Sequence, residues 1–151
     1  MEGFKNLVIA ATGAVGGWIA WAVGGWDGSM VTLLIMMGID FLTGLILGWL
    51  GRSPKTERGG LSSTAGWIGL AKKVVTFLLV IVAKRLDEAI GTGDLVRNAV
   101  IIAFMVNEVI SIIENAGLLG IPIPKIFLHA IDLLKNKAEK IEKEMDKDGR
   151  N

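Results

Sequence analysis

The sequence predicts an all-α integral membrane protein, with three to four transmembrane helices followed by a charged, amphipathic C-terminal helix. Three observations carry this reading. Hydrophobic residues make up 52% of the 151 residues. They come in long blocks, whereas a water-soluble core would alternate them with polar residues at a helical or strand period. Finally, Asn6 to Trp26 holds no charged residue, and Gly28 to Gly51 holds one, Asp40. Each run approximates the ~20 residues that a helix needs to cross roughly 30 Å of hydrocarbon. Glycine and tryptophan, both favoured in or beside bilayers, are abundant within these blocks.

The composition also excludes function classes. A net charge of +1 gives no basic surface for nucleic acid. Without cysteine there are no disulfides or thiolate metal sites, and a single histidine, His129, makes no metal cluster. No nucleophile stands beside a histidine base. The glycines of "GTGDLVRN" lack both the spacing and the strand–turn–helix setting of a phosphate loop. The expectation is therefore no enzyme and no cofactor. "MEGFK" and the "AWA" at Ala20–Ala22 imitate a cleaved leader, but Glu2 opposes Lys5 and the next apolar block starts almost at once. A retained first segment is expected.

The first segment, about Lys5 to Gly25, is expected to span. Its small residues recur every four positions, as at Gly13 and Gly17, a spacing that lets helix backbones approach closely. The link "WDGS" is too short to cross anything, so the second segment, about Ser29 to Leu50, should return as an antiparallel hairpin. Gly44 and Gly48 repeat the small-residue spacing, and Trp26 and Trp49 flank the segment as interfacial anchors. In the loop "GRSPKTERGG", Pro54 and paired glycines break the helix, and Arg52, Lys55 and Arg58 outnumber Glu57. The positive-inside rule makes this loop cytoplasmic.

The third segment, about 65–85, has an apolar centre at Val74–Ala83 bounded by Lys72–Lys73 and Lys84–Arg85. It spans if the lysines snorkel to the headgroups, or lies in the interface if they do not. The fourth, about 97–117, is apolar to Val106 and then carries Asn107, Glu108, Ser111, Glu114 and Asn115 on one helical face. "GIPIP" imposes an extended link. From Lys125 to Arg150, Phe127, Ile131, Leu134, Ala138, Ile141 and Met145 alternate spacings of four and three. They form either a short coiled-coil seam or the apolar side of a solvated helix. The division is thus a membrane domain, 1–120, and a charged tail, 121–151. Four spans put both termini inside, leaving Lys84, Arg85 and Arg97 outside against the charge rule.

The ordered set "MMGIDFLTG", "LSSTAGWIGLAKKVVTFLLVIVAKRLDEAIG" and "FMVNEVISIIENAGLLGIPIP" closely resembles the phage holin family associated with phage lysis and clostridial toxin secretion. The resemblance runs from about Leu33 to Leu134 and rests on Asp40–Gly44, Ser62–Lys73, Asp87, Asn107–Glu108, Glu114–Asn115 and Pro122 taken together. It implies a small multi-pass protein of the bacterial cytoplasmic membrane, encoded by a phage or prophage of a Gram-positive host. Such proteins oligomerise in the bilayer and open non-specific lesions that release an endolysin, without requiring direct contact with it. Relatives assist toxin release, and an antiholin partner fits the same scheme. A constitutive small channel, or a scaffold recruiting partners through its tail helix, is the alternative from the residues alone.

Asp40 carries the sharpest expectation. Eleven Leu, Ile, Val and Phe residues in its segment favour insertion by very roughly 5 kcal/mol, against about 3 kcal/mol for one central Asp. The segment inserts, but its carboxyl needs a partner. Lys72 or Lys73 would serve, as would a protonated carboxyl bonded to Thr43 or a nearby carbonyl. Asp40, Lys72, Lys73, Asn107, Glu108, Ser111 and Glu114 are the candidate intramembrane pairing or pore residues. Gly13, Gly17, Gly44 and Gly48 are the packing candidates, and Phe127, Ile131, Leu134 and Ile141 the tail oligomerisation candidates.

Overall fold

A computed structural model of the protein describes residues 1–56 and 58–148. Glu57 and residues 149–151, Arg150 among them, lie outside the described residues, as does the side chain of Ala138. The described residues form five helices and no strand: α1 (Glu2–Ala22), α2 (Gly28–Trp49), α3 (Ser63–Ile90), α4 (Leu95–Leu118) and α5 (Lys125–Asp148). Of these, α2, α3 and α4 are long and apolar enough to cross a membrane, and α1 is not among them.

The bundle is apolar outside, and it buries polar residues beside its apolar core. On α2, Ile35, Ile39, Leu42, Ile46 and Trp49 are exposed along one stripe, and on α3 so are Val75, Leu78, Val82 and Leu86. Meanwhile Asp40, Thr76, Asp87, Arg97 and Asn115 are buried. In water that would leave an apolar surface far beyond the few hundred Å² common on soluble monomers. In a bilayer it is the surface that lipid covers, and ionisable residues belong inside.

The inner faces follow a seven-residue seam. Met30, Leu33, Met37, Asp40 and Leu47 are buried on α2, and Thr76, Val80, Ala83 and Asp87 on α3. Alternating steps of three and four keep such positions on one side of a helix. Helix α4 packs against both α2 and α3, while α2 and α3 meet only sparsely. Val23, Met30, Leu33, Met37, Val80, Ile101 and Met105 make one continuous dry core between these helices.

Helix α1 departs from the expected hairpin. Residues 2–18 are exposed, and α2 packs mainly on α4 instead. The cause lies in the connecting turn. Gly24 and Gly25 take φ of +82° and +100°, values reached at low cost only by glycine. They redirect the chain while the turn's carbonyls are held by side chains of α3 and α4 (below). Correspondingly, a Cβ at Gly13 or Gly17 would meet nothing within 4 Å, and the same is true at Gly44. Only Gly48 is closely approached, with Leu61 Cδ2 3.0 Å from where its Cβ would stand. Within one chain these glycines are not a helix–helix packing seam.

The loop between α2 and α3 closes on itself. Ser53 N–H donates to the Gly59 carbonyl at 2.9 Å, and Gly59 N–H to Thr56 at 3.1 Å. Gly59 has φ +70°, and a Cβ there would fall 2.2 Å from the Gly51 carbonyl oxygen. Gly59→Ala is therefore expected to force the loop open, at a cost of about 1–3 kcal/mol. Faster tryptic cleavage after Arg52, Lys55 and Arg58 would report it; wild-type cleavage rates would contradict it.

Helix α3 begins at the Ser62 cap, whose Oγ accepts from Ala65 N–H, and stops at Gly91, left-handed at φ +74°. It thus continues past Lys84 and Arg85, and the expected long outer link shrinks to Gly91–Asp94. Helix α5 packs against α4. On it Ile131 is buried, Leu134 and Ile141 are half-buried, and Phe127 is exposed, so the four proposed seam residues do not share one environment.

Candidate functional site

Two charged clusters are built inside this apolar shell. The first lies mid-helix. Lys73 Nζ sits 2.9 Å from Asp40 Oδ2 and 2.6 Å from Glu108 Oε2, with all three side chains only 12–13% exposed. Asp40 also accepts from Asn115 Nδ2 at 3.3 Å, and Asn115 donates to Thr43 Oγ1 at 2.9 Å. Thr43 Oγ1 in turn donates to the Asp40 backbone carbonyl. Depth is matched across the three helices. Asp40 lies nine residues before Trp49, Lys73 ten after Ser63 and Glu108 ten before Leu118, about 14–15 Å in at ~1.5 Å per residue. Lys72, one step round the helix, is exposed.

The polar face of α4 therefore divides. Glu108 and Asn115 turn inward onto Asp40 and Lys73, Ser111 is half-buried, and Asn107 and Glu114 are exposed. Asp40, Lys73, Glu108, Asn107 and Ser111 all border a crevice of about 490 Å³ between α2, α3 and α4, which opens beside the Ser53–Ser62 loop.

The second cluster ties the other end together, and the sequence reading missed it. Arg97 is 1% exposed. Its Nε donates to the Val23 carbonyl, its Nη2 to the Gly25 carbonyl at 3.2 Å, and its Nη1 to Asp27 Oδ2 at 2.6 Å. Asp27 is also the N-cap of α2, accepting from Met30 N–H at 2.8 Å. Burial works to raise the Asp27 carboxyl, but the bonds from Arg97 and Met30 outweigh it and hold the group below its ordinary 3.8. The stabilisation is thus present above 3.8 and is lost as pH falls below that value.

Helix α4 lacks a local side-chain cap at Asp94. Asp87 of α3 supplies one instead, accepting from Val96 N–H at 2.9 Å, Arg97 N–H at 2.7 Å and Thr92 Oγ1. Arg85 donates to the Trp21 and Ala22 carbonyls at the end of α1 and lies 4.3 Å from the Trp21 ring centroid. Lys84 pairs with Asp94 at 2.8 Å. The three cations that broke the charge rule are all engaged on this side. A signal was available: an arginine two residues inside an apolar helix, and an acid, Asp27, in the short link between the first two segments.

Apolar helices enclosing paired charges, with an apolar outer surface, define a multi-pass helical membrane protein. Residues 17–136 match the model of the bacteriophage holin family, and the chain belongs to that family. The match starts well before Leu33, within α1. The chain is 33% identical over 138 residues to an uncharacterized 14.9 kDa protein in the nagH 3′ region of Clostridium perfringens, covering 91% of this chain and 99% of that one. An uncharacterized Listeria monocytogenes protein is 32% identical over 149 residues, 98% and 99% of the two chains. A protein of Bacillus phage phi105 named a probable holin is 31% identical over 103 residues, 66% of this chain and 71% of its own. No solved structure matches the chain.

Proposed function

We propose that this protein is a working holin: copies accumulate in the bacterial cytoplasmic membrane, oligomerise, and open non-specific lesions that release an endolysin for host lysis. Family membership supports the class. The observation that carries the mechanism is that the Asp40–Lys73–Glu108 cluster is satisfied within one chain, while Asn107 and Glu114, on the adjoining edge of α4, are exposed. A protomer whose buried acids both contact Lys73 is held together in lipid. Rotation of α4 within an oligomer would bring Asn107, Ser111 and Glu114 to a shared aqueous lumen. The exposed glycines of α1, Gly13 and Gly17, and the half-buried Gly44 of α2 offer surfaces for contacts between copies. In this reading the Arg52–Arg58 loop and α5 face the cytoplasm. Helix α1 returns the N-terminus there as a fourth, less apolar span.

Induced expression in a bacterium with a co-expressed endolysin tests this. The expected result is a lag, then abrupt loss of membrane potential and endolysin activity outside the membrane. Immediate ion-specific conductance would instead identify a channel, and an unaltered potential a scaffold. Labelling of Gly3→Cys by an impermeant reagent from outside the cell would overturn the α1 span alone.

A further inference from the structure

The crevice beside the Lys73 cluster is an unusual feature for a protomer at rest in lipid. It lies inside one chain and so precedes any assembly. Its mouth is at the loop joining α2 and α3, where Ser62 and Lys55 border it, and its walls include Gly69 and Ser111. It ends at mid-depth on Asp40, Lys73 and Glu108. Beyond them the dry core formed by Met30, Leu33, Met37, Val80 and Met105 separates it from the opposite end. A recess of about 490 Å³, apolar over much of its wall but charged at its floor, has room for on the order of ten or more waters.

The charges at its floor do not balance. Two carboxylates, Asp40 from α2 and Glu108 from α4, share one ammonium, Lys73 from α3. Lys72 and Lys55 border the recess nearer the mouth. No ion pair from α1 or α5 reaches it among the described residues. A recess wide enough for water, ending on two acids that share one ammonium, has the chemistry of a proton site entered from one side. We propose that this crevice is an aqueous half-channel that delivers protons from the loop face of the membrane, and from that face alone, to Asp40 and Glu108. A proton bound there removes one of the two partners of Lys73. Because α2 and α3 have little other contact, it weakens the tie between them. Proton activity on the loop side thereby sets how firmly the closed protomer is held, independently of any lesion it later forms.

The native chain has no cysteine, so single cysteines report cleanly in sealed, polarised vesicles that contain the full-length protein. A Cβ at Gly69 would stand 3.9 Å from Phe41, an ordinary contact, and Ser111→Cys changes one atom. Thiols react as thiolates and need water to ionise. A charged methanethiosulfonate on the loop side should therefore label Gly69→Cys and Ser111→Cys at least about tenfold faster than Leu33→Cys. The same reagent on the other face should label none of the three. Rates equal to that of Leu33→Cys, or equal labelling from both faces, would overturn the half-channel. Infrared difference spectra then test the proton. Acidifying the loop side should raise a protonated-carboxyl band that disappears in Asp40→Asn/Glu108→Gln. A band that follows the opposite face, or that survives in the double variant, would overturn the proton site. Both readings are taken while the membrane remains sealed, so a failure of lesion formation does not affect them.

Discussion

Lys73→Met is expected to destabilise the folded protomer by about 3–5 kcal/mol, the usual consequence of removing one partner from a buried ion pair. The loss comes less from the attraction removed than from the two carboxylates left behind. Asp40 and Glu108 are each 12% exposed, and Asn115 alone cannot satisfy both. Unfolding in detergent micelles, followed by tryptophan fluorescence, would measure it. Lys72→Met is the internal control: that side chain is exposed, so a change within about 0.5 kcal/mol is expected. The neutral variant Asp40→Asn/Lys73→Met/Glu108→Gln should recover much of the loss, since no charge remains unpaired. Equal effects of the two lysines would sink the assignment. In cells, Lys73→Met should shorten the lag before lysis, because the closed protomer is the state being weakened.

The choice between those lysines was open to sequence reasoning on a criterion that depth alone does not supply. The sequence offered both as partners for Asp40 without separating them. The seam Thr76, Val80, Ala83, Asp87, extended backward by three, lands on Lys73 and leaves Lys72 a step of about 100° round the helix. The apolar blocks, the five helices and the acid in the second segment were legible because insertion and helix length depend on composition and local order. What was not legible depends on which helix meets which. A short turn normally predicts a hairpin, and "WDGS" invited one for α1 and α2. The turn's geometry is instead fixed by two left-handed glycines and by an arginine 72 residues away along the chain. Likewise Asp94 has the residue type and position of an N-cap, yet the capping is done by Asp87 from the preceding helix. The absence of a local signal and the presence of a remote one are both invisible to spacing.

Arg97 makes the second large prediction. Its guanidinium serves two backbone carbonyls and one carboxylate in three directions. Arg97→Met would leave the Val23 and Gly25 carbonyls without donors, at about 1–3 kcal/mol for each buried group left unsatisfied. A total near 3 kcal/mol is expected. Arg97→Lys should recover only part, since one ammonium cannot span the fork. The effect should also be local. Hydrogen exchange would accelerate over Trp21–Met30, where the turn and the α2 cap depend on Arg97, and change little around Asp40. The two clusters are separate in energy as well as in space. Arg97 and Glu108 are eleven residues apart on α4, about 16 Å, well beyond the 7–10 Å within which substitutions usually couple. Arg97→Met and Lys73→Met should therefore add, whereas Arg97→Met and Asp27→Asn should not, because both break the same contact. Strong coupling between Arg97 and Lys73 would mean that the dry core of Met30, Leu33, Val80 and Ile101 transmits strain from one end of the bundle to the other. In that case the core could not act as a passive plug between two independent charge sites. Additivity would instead assign the far end to holding α1 and leave the response to loop-side conditions with Asp40, Lys73 and Glu108.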